Sequence, residues 1–422
     1  MRPFWGIALR YYGGTLLAIY AVGVLAVFGF LRVIGYPISI VHVGLPTMWH
    51  KVPQARGWFF LDRSNRAFAA GRTSEGLLYL ANSYEFDPAN YGAGLALAKR
   101  YQGAQPGRSD QVFEQLLREH PSRRDATAQE WLRALLPRGD FARIAILAHD
   151  EVLLDTAHAS VWMRAFIFAT RQLGNDALVR DLLARKTPAA TVWHPLLETE
   201  LILRRDSAPA TRAALDRDWP WHNAPYTAVS QFTVIYRANA LIALGAPLAA
   251  VDLAGKYSTR LANDDYVALR LDALSAAGAN VSLTREIESI LGSRTNASMV
   301  TILCSHLIRH PDPVLFDRLC TKVEREQFPL NTETAGAWFS LLCTAGVVED
   351  KQWLSTLGAR LKSASPTPFT SLAVVEAFFR GDTTERRITT FLPILPLPND
   401  VIYTLIEHYS PPASAPAVSG RR

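Results

Sequence analysis

The stretch FLDRSNRAFAAGRTSEGLLYLANSYEFDPANYGAGLALAKRY, residues 60–101, holds one structural unit and the start of the next. Up to Ala70 its apolar residues recur at spacings of three and four, the stripe of an amphipathic helix. Gly71 then interrupts the run, and glycine takes the left-handed backbone that closes a helix where other residues resist it. A second periodic run reaches Phe86. Asp87-Pro88-Ala89-Asn90 ends it, because proline removes an amide donor and clashes with the preceding turn. A third helix opens behind Asn90.

Similar markers recur down the chain, at Gly71, Pro106-Gly107, Gly139, Gly174, Asp206-Ser207, Gly245, Gly278, Pro311, Gly346 and Gly381. They stand 32–39 residues apart, with a mean near 34. A period of this size predicts stacked helical hairpins, none of which buries its apolar stripe without its neighbours. Asp140, Asn175 and Asp382 follow their glycines, where a side-chain oxygen caps the next helix. Pro88, Pro121, Pro188, Pro329 and Pro366 fall where second helices stop. Strand signals are scarce, so the chain reads as all-α.

These residues resemble the tetratricopeptide-repeat family. The family's aromatic position falls on Phe60, its small position on Ser64 and its turn glycine on Gly71. Its packing positions in the second helix fall on Gly76, Leu80 and Ser83, and its closing proline on Pro88. Leu97-Ala98 and Tyr101 continue the order in the next unit. Gly139-Asp140-Phe141 and the run from Leu244 to Ala250 repeat the turn. Leu132 and Ile167 depart from the pattern, standing where the family has a small residue. The resemblance runs from Trp58 to Leu261; after Asp264 only the period matches. It implies a right-handed superhelix of about ten hairpins, a TPR-like α-solenoid, with a concave groove lined by first helices. It also implies the binding of peptides, helices or whole proteins. The family's carboxylate clamp of Lys, Arg and Asn is not visible, since its positions in the second unit read Gly92, Leu95, Lys99 and Gln102. Lys99, Trp131, Trp162, Tyr236 and Trp338 are the groove candidates for partner binding. At helical spacing the same aromatics also suit the core between hairpins.

Ahead of the repeats, Tyr11 to Leu31 carries no charge. About 20 apolar residues at 1.5 Å each cover the ~30 Å hydrocarbon layer. Phe4, Trp5, Tyr11 and Tyr12 precede the run, and Tyr36 and Trp49 follow it, as interfacial aromatics do. The reading is one uncleaved anchor. A cleaved signal peptide is the alternative, but no small-x-small cleavage site lies beyond the run, and its end, Val27 to Arg32, is bulky. Arg2 and Arg10 precede the span while Arg32, Lys51 and Arg56 follow it, so charge does not set the orientation. A short tail before a large domain places that domain across the membrane. The Arg- and Ala-rich usage suits a bacterial source, which puts the solenoid on the periplasmic side of an inner membrane.

The chain thus divides into a tail (1–12), a transmembrane helix (13–31), a connector broken by Pro37 and Pro46 (32–57), TPR-like repeats (58–263), degenerate repeats (264–409) and a Pro/Ala/Ser-rich disordered tail (410–422). In the degenerate part, the run from Leu392 to Pro398 breaks the last hairpin. The helix behind it, Asn399 to Tyr409, reads as a cap on the open end of the stack.

Composition narrows the function. Hydrophobic content of 49% with 19% charged residues excludes a disordered chain. The net charge of +6 is spread over the length, and the densest basic cluster, Arg118 to Arg124, has Glu119 and His120 inside it. No nucleic-acid arm results. Cys304, Cys320 and Cys343 lie in apolar helical patterns and read as buried thiols. There is no phosphate loop, GxSxG or HExxH. His306 and His310 share a helix face at metal-ligand spacing, without an evident third ligand. Glu198, Glu200, Asp264 and Asp265 read as acidic helix surface. No catalytic, metal or cofactor residue is assigned. The expectation is a non-catalytic, membrane-anchored scaffold or assembly factor for protein partners, with neither nucleic acid nor a small-molecule substrate. A carbohydrate-active (α/α) toroid enzyme and a chaperone-like binder of envelope proteins are the alternatives. The ~34-residue period argues against the first, whose hairpins are longer.

Overall fold

The computed structural model describes residues 2–154, 158–205, 208–217, 219, 227–364 and 370–411. Among the described residues all regular structure is helical, in 23 α-helices and five 3-10 turns, without a strand. The side chains of Phe4, Trp5 and Tyr11, the turn at Asp206-Ser207, Pro366 and the tail beyond residue 411 lie outside them. The chain divides into two compact units, Met1–Trp131 and Leu132–Arg422.

The first unit opens with the helix Arg2–Ile34. Its Tyr12–Ile34 portion has mean hydropathy 2.3 and is long and apolar enough to cross a membrane. The short helix Ile40–Gly44 follows, then Lys51–Ala69, Thr73–Phe86, Tyr91–Ala104 and Pro106–Glu119. The turn between the first two of these long helices is the one expected. Gly71 sits at φ +73, and Arg72 donates its amide to the Ala67 carbonyl. Small side chains let the helices approach. Ser64 Oγ donates to the Gly76 carbonyl, Ser83 Oγ to that of Gly57 and Ser109 Oγ to that of Ala98, each at 2.8 Å. All three hydroxyls are buried, and each finds the acceptor that burial demands. Leu80, Tyr84, Leu97, Tyr101 and Leu116 close one core cluster around them.

Gly76 is needed for that approach, since a β-carbon there would come 2.7 Å from the Phe68 ring. Gly76→Val should therefore destabilise the protein by about 1–3 kcal/mol through overpacking. Gly103→Ala, with nothing within 4 Å of the added carbon, should be neutral or stabilising by about 0.4–1 kcal/mol. Denaturant unfolding followed by circular dichroism checks both; equal losses in the two variants would refute the packing argument.

In the second unit Gly139, Gly174, Gly245, Gly278 and Gly381 all take φ between +60 and +77, as the turn reading requires. Asp140 accepts from the Arg143 amide and Asn175 from the Ala177 amide, so both cap as expected. Two markers differ. Gly346 lies inside the helix Ala335–Val347, and the left-handed residue of that turn is Glu349, at φ +61. The glycine serves packing instead: Phe379 presses so close that a β-carbon would sit 2.2 Å from its ring. Asp382 precedes irregular backbone and caps no helix.

The C-terminal segment also departs from expectation. Val401, Ile402, Tyr403, Thr404, Leu405 and Ile406 are six consecutive buried residues of the helix Asn399–Tyr409. An end cap leaves one face to water; here the central turns, 401–406, are covered on every side. It packs along Ala297–Arg309. Tyr403 meets Phe168 edge-on, with ring centres 4.6 Å apart, and Tyr409 meets Phe378 at 5.4 Å. Arg164 pairs with Asp400 and lies over the Tyr403 ring. Upstream, Thr389 fills the space beside Gly139, and Pro396 and Pro398 lie against Gly336. Helices far apart in sequence thus share one internal partner.

Candidate functional site

Polar side chains join positions about one period apart. In the first unit Tyr84 donates to Glu119, 35 residues on, and Thr127 donates to Tyr91 across 36. In the second, Gln231 pairs with Asp265 and Ser298 with Asp264, each across 34. Tyr236 donates to Glu200 across 36, and His306 meets Asp272 across 34.

The Glu200 joint is the deepest. Its side chain is 0% exposed. Arg171 holds it bidentately, Nε to Oε1 at 2.7 Å and Nη2 to Oε2 at 2.6 Å. Arg204 Nε adds a contact to Oε1 at 2.8 Å, and the Tyr236 hydroxyl donates to Oε2 at 2.8 Å. Burial would raise the carboxyl, but Arg171 first and Arg204 next outweigh it and hold it down at about 2. The Tyr236 hydroxyl is pushed well above its ordinary value by burial and by Glu200. Both Glu200 oxygens are engaged, so this residue is a buried charge joint and not helix surface. Glu198, its neighbour in sequence, is half-exposed and pairs with Arg217.

A second joint gathers Asp272, His306 and His310. One ligand atom from each lies within 4.8 Å of the others. Asp272 is the third group that the sequence reading lacked, and one period before His306 is the signal that finds it. The donor set suits a divalent transition metal. Arg309 claims the same carboxylate, however, with Nη1 2.5 Å from Oδ2, while its Nη2 reaches the Thr404 hydroxyl of the C-terminal helix at 3.1 Å. Burial would raise Asp272; Arg309 and then His306 pull it below its usual range. The cluster ties the helices Asn263–Ala276 and Ala297–Arg309 to the last helix. An Asp272→Asn, Arg309→Met double-mutant cycle should read a coupling of about 1.5–3 kcal/mol in unfolding free energy. Simple additivity would refute a direct pair.

The groove candidates fall as follows. Lys99 is exposed and pairs with Glu130 at 2.8 Å. The aromatics are buried. Trp131 donates to Asp110 and stacks on Phe113. Trp162 is 0% exposed. Tyr236 belongs to the Glu200 joint. Trp338 donates to the Pro329 carbonyl at 3.0 Å, with the Arg360 guanidinium 4.3 Å from its ring. All four rings are packed inside the protein.

Exposed apolar residues lie elsewhere. Leu248, Val281 and Val314 are 64–77% exposed and occupy the second position of the helices Pro247–Lys256, Asn280–Gly292 and Pro313–Arg325. They stand 33 residues apart in sequence, and apolar periodicity alone does not separate them from core positions. No family model matches the chain, and comparison with curated proteins and with solved structures returned no match.

Proposed function

We propose that the chain is a membrane-anchored scaffold: a tetratricopeptide-like α-solenoid of about ten hairpins in a right-handed superhelix, held by its first helix in a bacterial inner membrane with the repeats on the periplasmic side. The observation that carries this reading is the recurrence of joints across 34–36 residues. Hairpins stacked in register place equivalent positions side by side, and a linear stack of that kind offers a long surface for protein partners. The apolar side chains at Leu248, Val281 and Val314 are repeat-spaced anchors for such a partner. The carbohydrate-active alternative needs open carboxylates across a pocket, and the Glu200 oxygens are already taken by two guanidiniums and a phenol.

Affinity capture of the full chain from detergent-solubilised native membranes tests this, beside the triple variant Leu248→Asp, Val281→Asp, Val314→Asp. The parent should bring down a stoichiometric protein partner. The variant should lose it while keeping its helical circular dichroism, because all three positions face water. A parent chain that emerges alone would overturn the scaffold reading; equal recovery from both would move the partner off this stripe.

A further inference from the structure

The connector after the first helix carries more than a linker requires. Arg2–Ile34 ends at Gly35, φ +96, and Tyr36 donates its amide back to the Leu31 carbonyl. The chain then runs back along the helix it has just left. Ile38 and Val43 bury against Val24, Phe28 and Leu31, which share one face of that helix. The return reaches Tyr20, whose hydroxyl donates to the Gly44 carbonyl at 2.6 Å. Tyr20 stands nearly four turns, about 21 Å, before Ile34 along the helix axis.

Two further features suit this segment to hydrocarbon. Short helices leave carbonyls open, and in lipid each open carbonyl costs several kcal/mol. Here Tyr20 covers Gly44, and Trp49 Nε1 covers the Val43 carbonyl at 2.9 Å. The outward side is apolar: Ile40, Val41, Leu45 and Trp49 are 42–54% exposed. They adjoin a helix whose own Leu25, Val27 and Phe30 are also exposed.

We propose that residues 36–49 form an arm that turns back into the leaflet containing the C-terminal half of the span, with Ile40, Val41, Leu45 and Trp49 facing lipid. The inference rests on reading Tyr12–Ile34 as membrane-embedded. Continuity with that helix selects the bilayer as the occupant: the arm packs on the span's own side and extends its apolar surface sideways. Lys51, which lines a cavity with His42, limits the depth. Its ammonium must reach water, so the chain leaves the leaflet at Trp49 and Lys51, while Gly44, against Val24 and Tyr20, marks the deepest point of the arm. The arm widens the membrane footprint in one leaflet and restrains tilt of the helix that begins at Lys51.

The test uses the full chain reconstituted in phosphatidylcholine–phosphatidylglycerol nanodiscs. Nitroxide is attached at Val41→Cys, Leu25→Cys or Gln105→Cys, one at a time. Native Cys304, Cys320 and Cys343 are buried, with burial pushing their thiols up, so they compete poorly for the label. Collision with oxygen should exceed collision with a water-soluble nickel chelate at Leu25 and Val41, and the order should reverse at Gln105. A lipid signal at Leu25 with a water signal at Val41 would overturn the arm and leave the anchor standing. Water signals at both would overturn the anchor and the arm together.

Discussion

Glu200→Gln should cost about 3–5 kcal/mol of unfolding free energy at pH 7, the range for breaking a buried charge pair by removing one partner. Glutamine keeps the volume and one acceptor but removes the charge that Arg171 and Arg204 share. Arg204 is 5% exposed and retains only Asp176, at 3.2 Å, as a carboxylate partner. Arg171 is about one-third exposed, so water recovers part of its loss. The cost therefore falls toward the lower figure. The pH dependence follows from the depressed carboxyl. A group held at about 2 when folded and 4.5 when unfolded contributes its full stability above the unfolded value and loses it as pH falls toward the folded one. The gap between parent and variant should thus be widest at neutral pH and narrow between pH 4.5 and 2. Denaturant unfolding at pH 7 and pH 3 measures it, and a gap that does not change with pH would contradict the assigned charge.

Leu405→Ala should destabilise by about 2–5 kcal/mol, the range for truncating an enclosed leucine. The distribution of the effect matters more than its size. A helix capping one end of a stack would loosen only its neighbour when weakened. The helix Asn399–Tyr409 instead touches Phe168, Ala297–Arg309 and Phe378. Hydrogen exchange should accelerate together in Ala159–Leu173 and Ala297–Arg309, helices more than a hundred residues apart. Acceleration confined to Thr370–Arg380 would restore the end-cap reading.

The family resemblance implies packing positions at Ser64, Gly76, Leu80 and Ser83, and all four are buried where two helices meet. Gly71, Gly139, Gly174, Gly245, Gly278 and Gly381 were placed at turns, and all have positive φ. Gly346 misled because glycine has two uses, positive φ and close approach, and only the neighbour across the gap distinguishes them. Glu200 misled for a related reason. The Glu-Thr-Glu run looks like solvated helix surface, yet its partners stand 29 residues before it, four after it and 36 after it. Adding one period to each charged position would have found Tyr236 for Glu200 and His306 for Asp272.

Helices, their turns and caps, and one apolar run of membrane length were readable from the chain alone, because backbone conformation, capping and apolar periodicity are set within a few residues. The burial of Glu200, the company of Asp272 and the enclosure of the last helix came from folding. Each depends on which distant side chains arrive to satisfy a charge or cover an apolar face, and desolvation makes that choice over the whole unit rather than along the sequence.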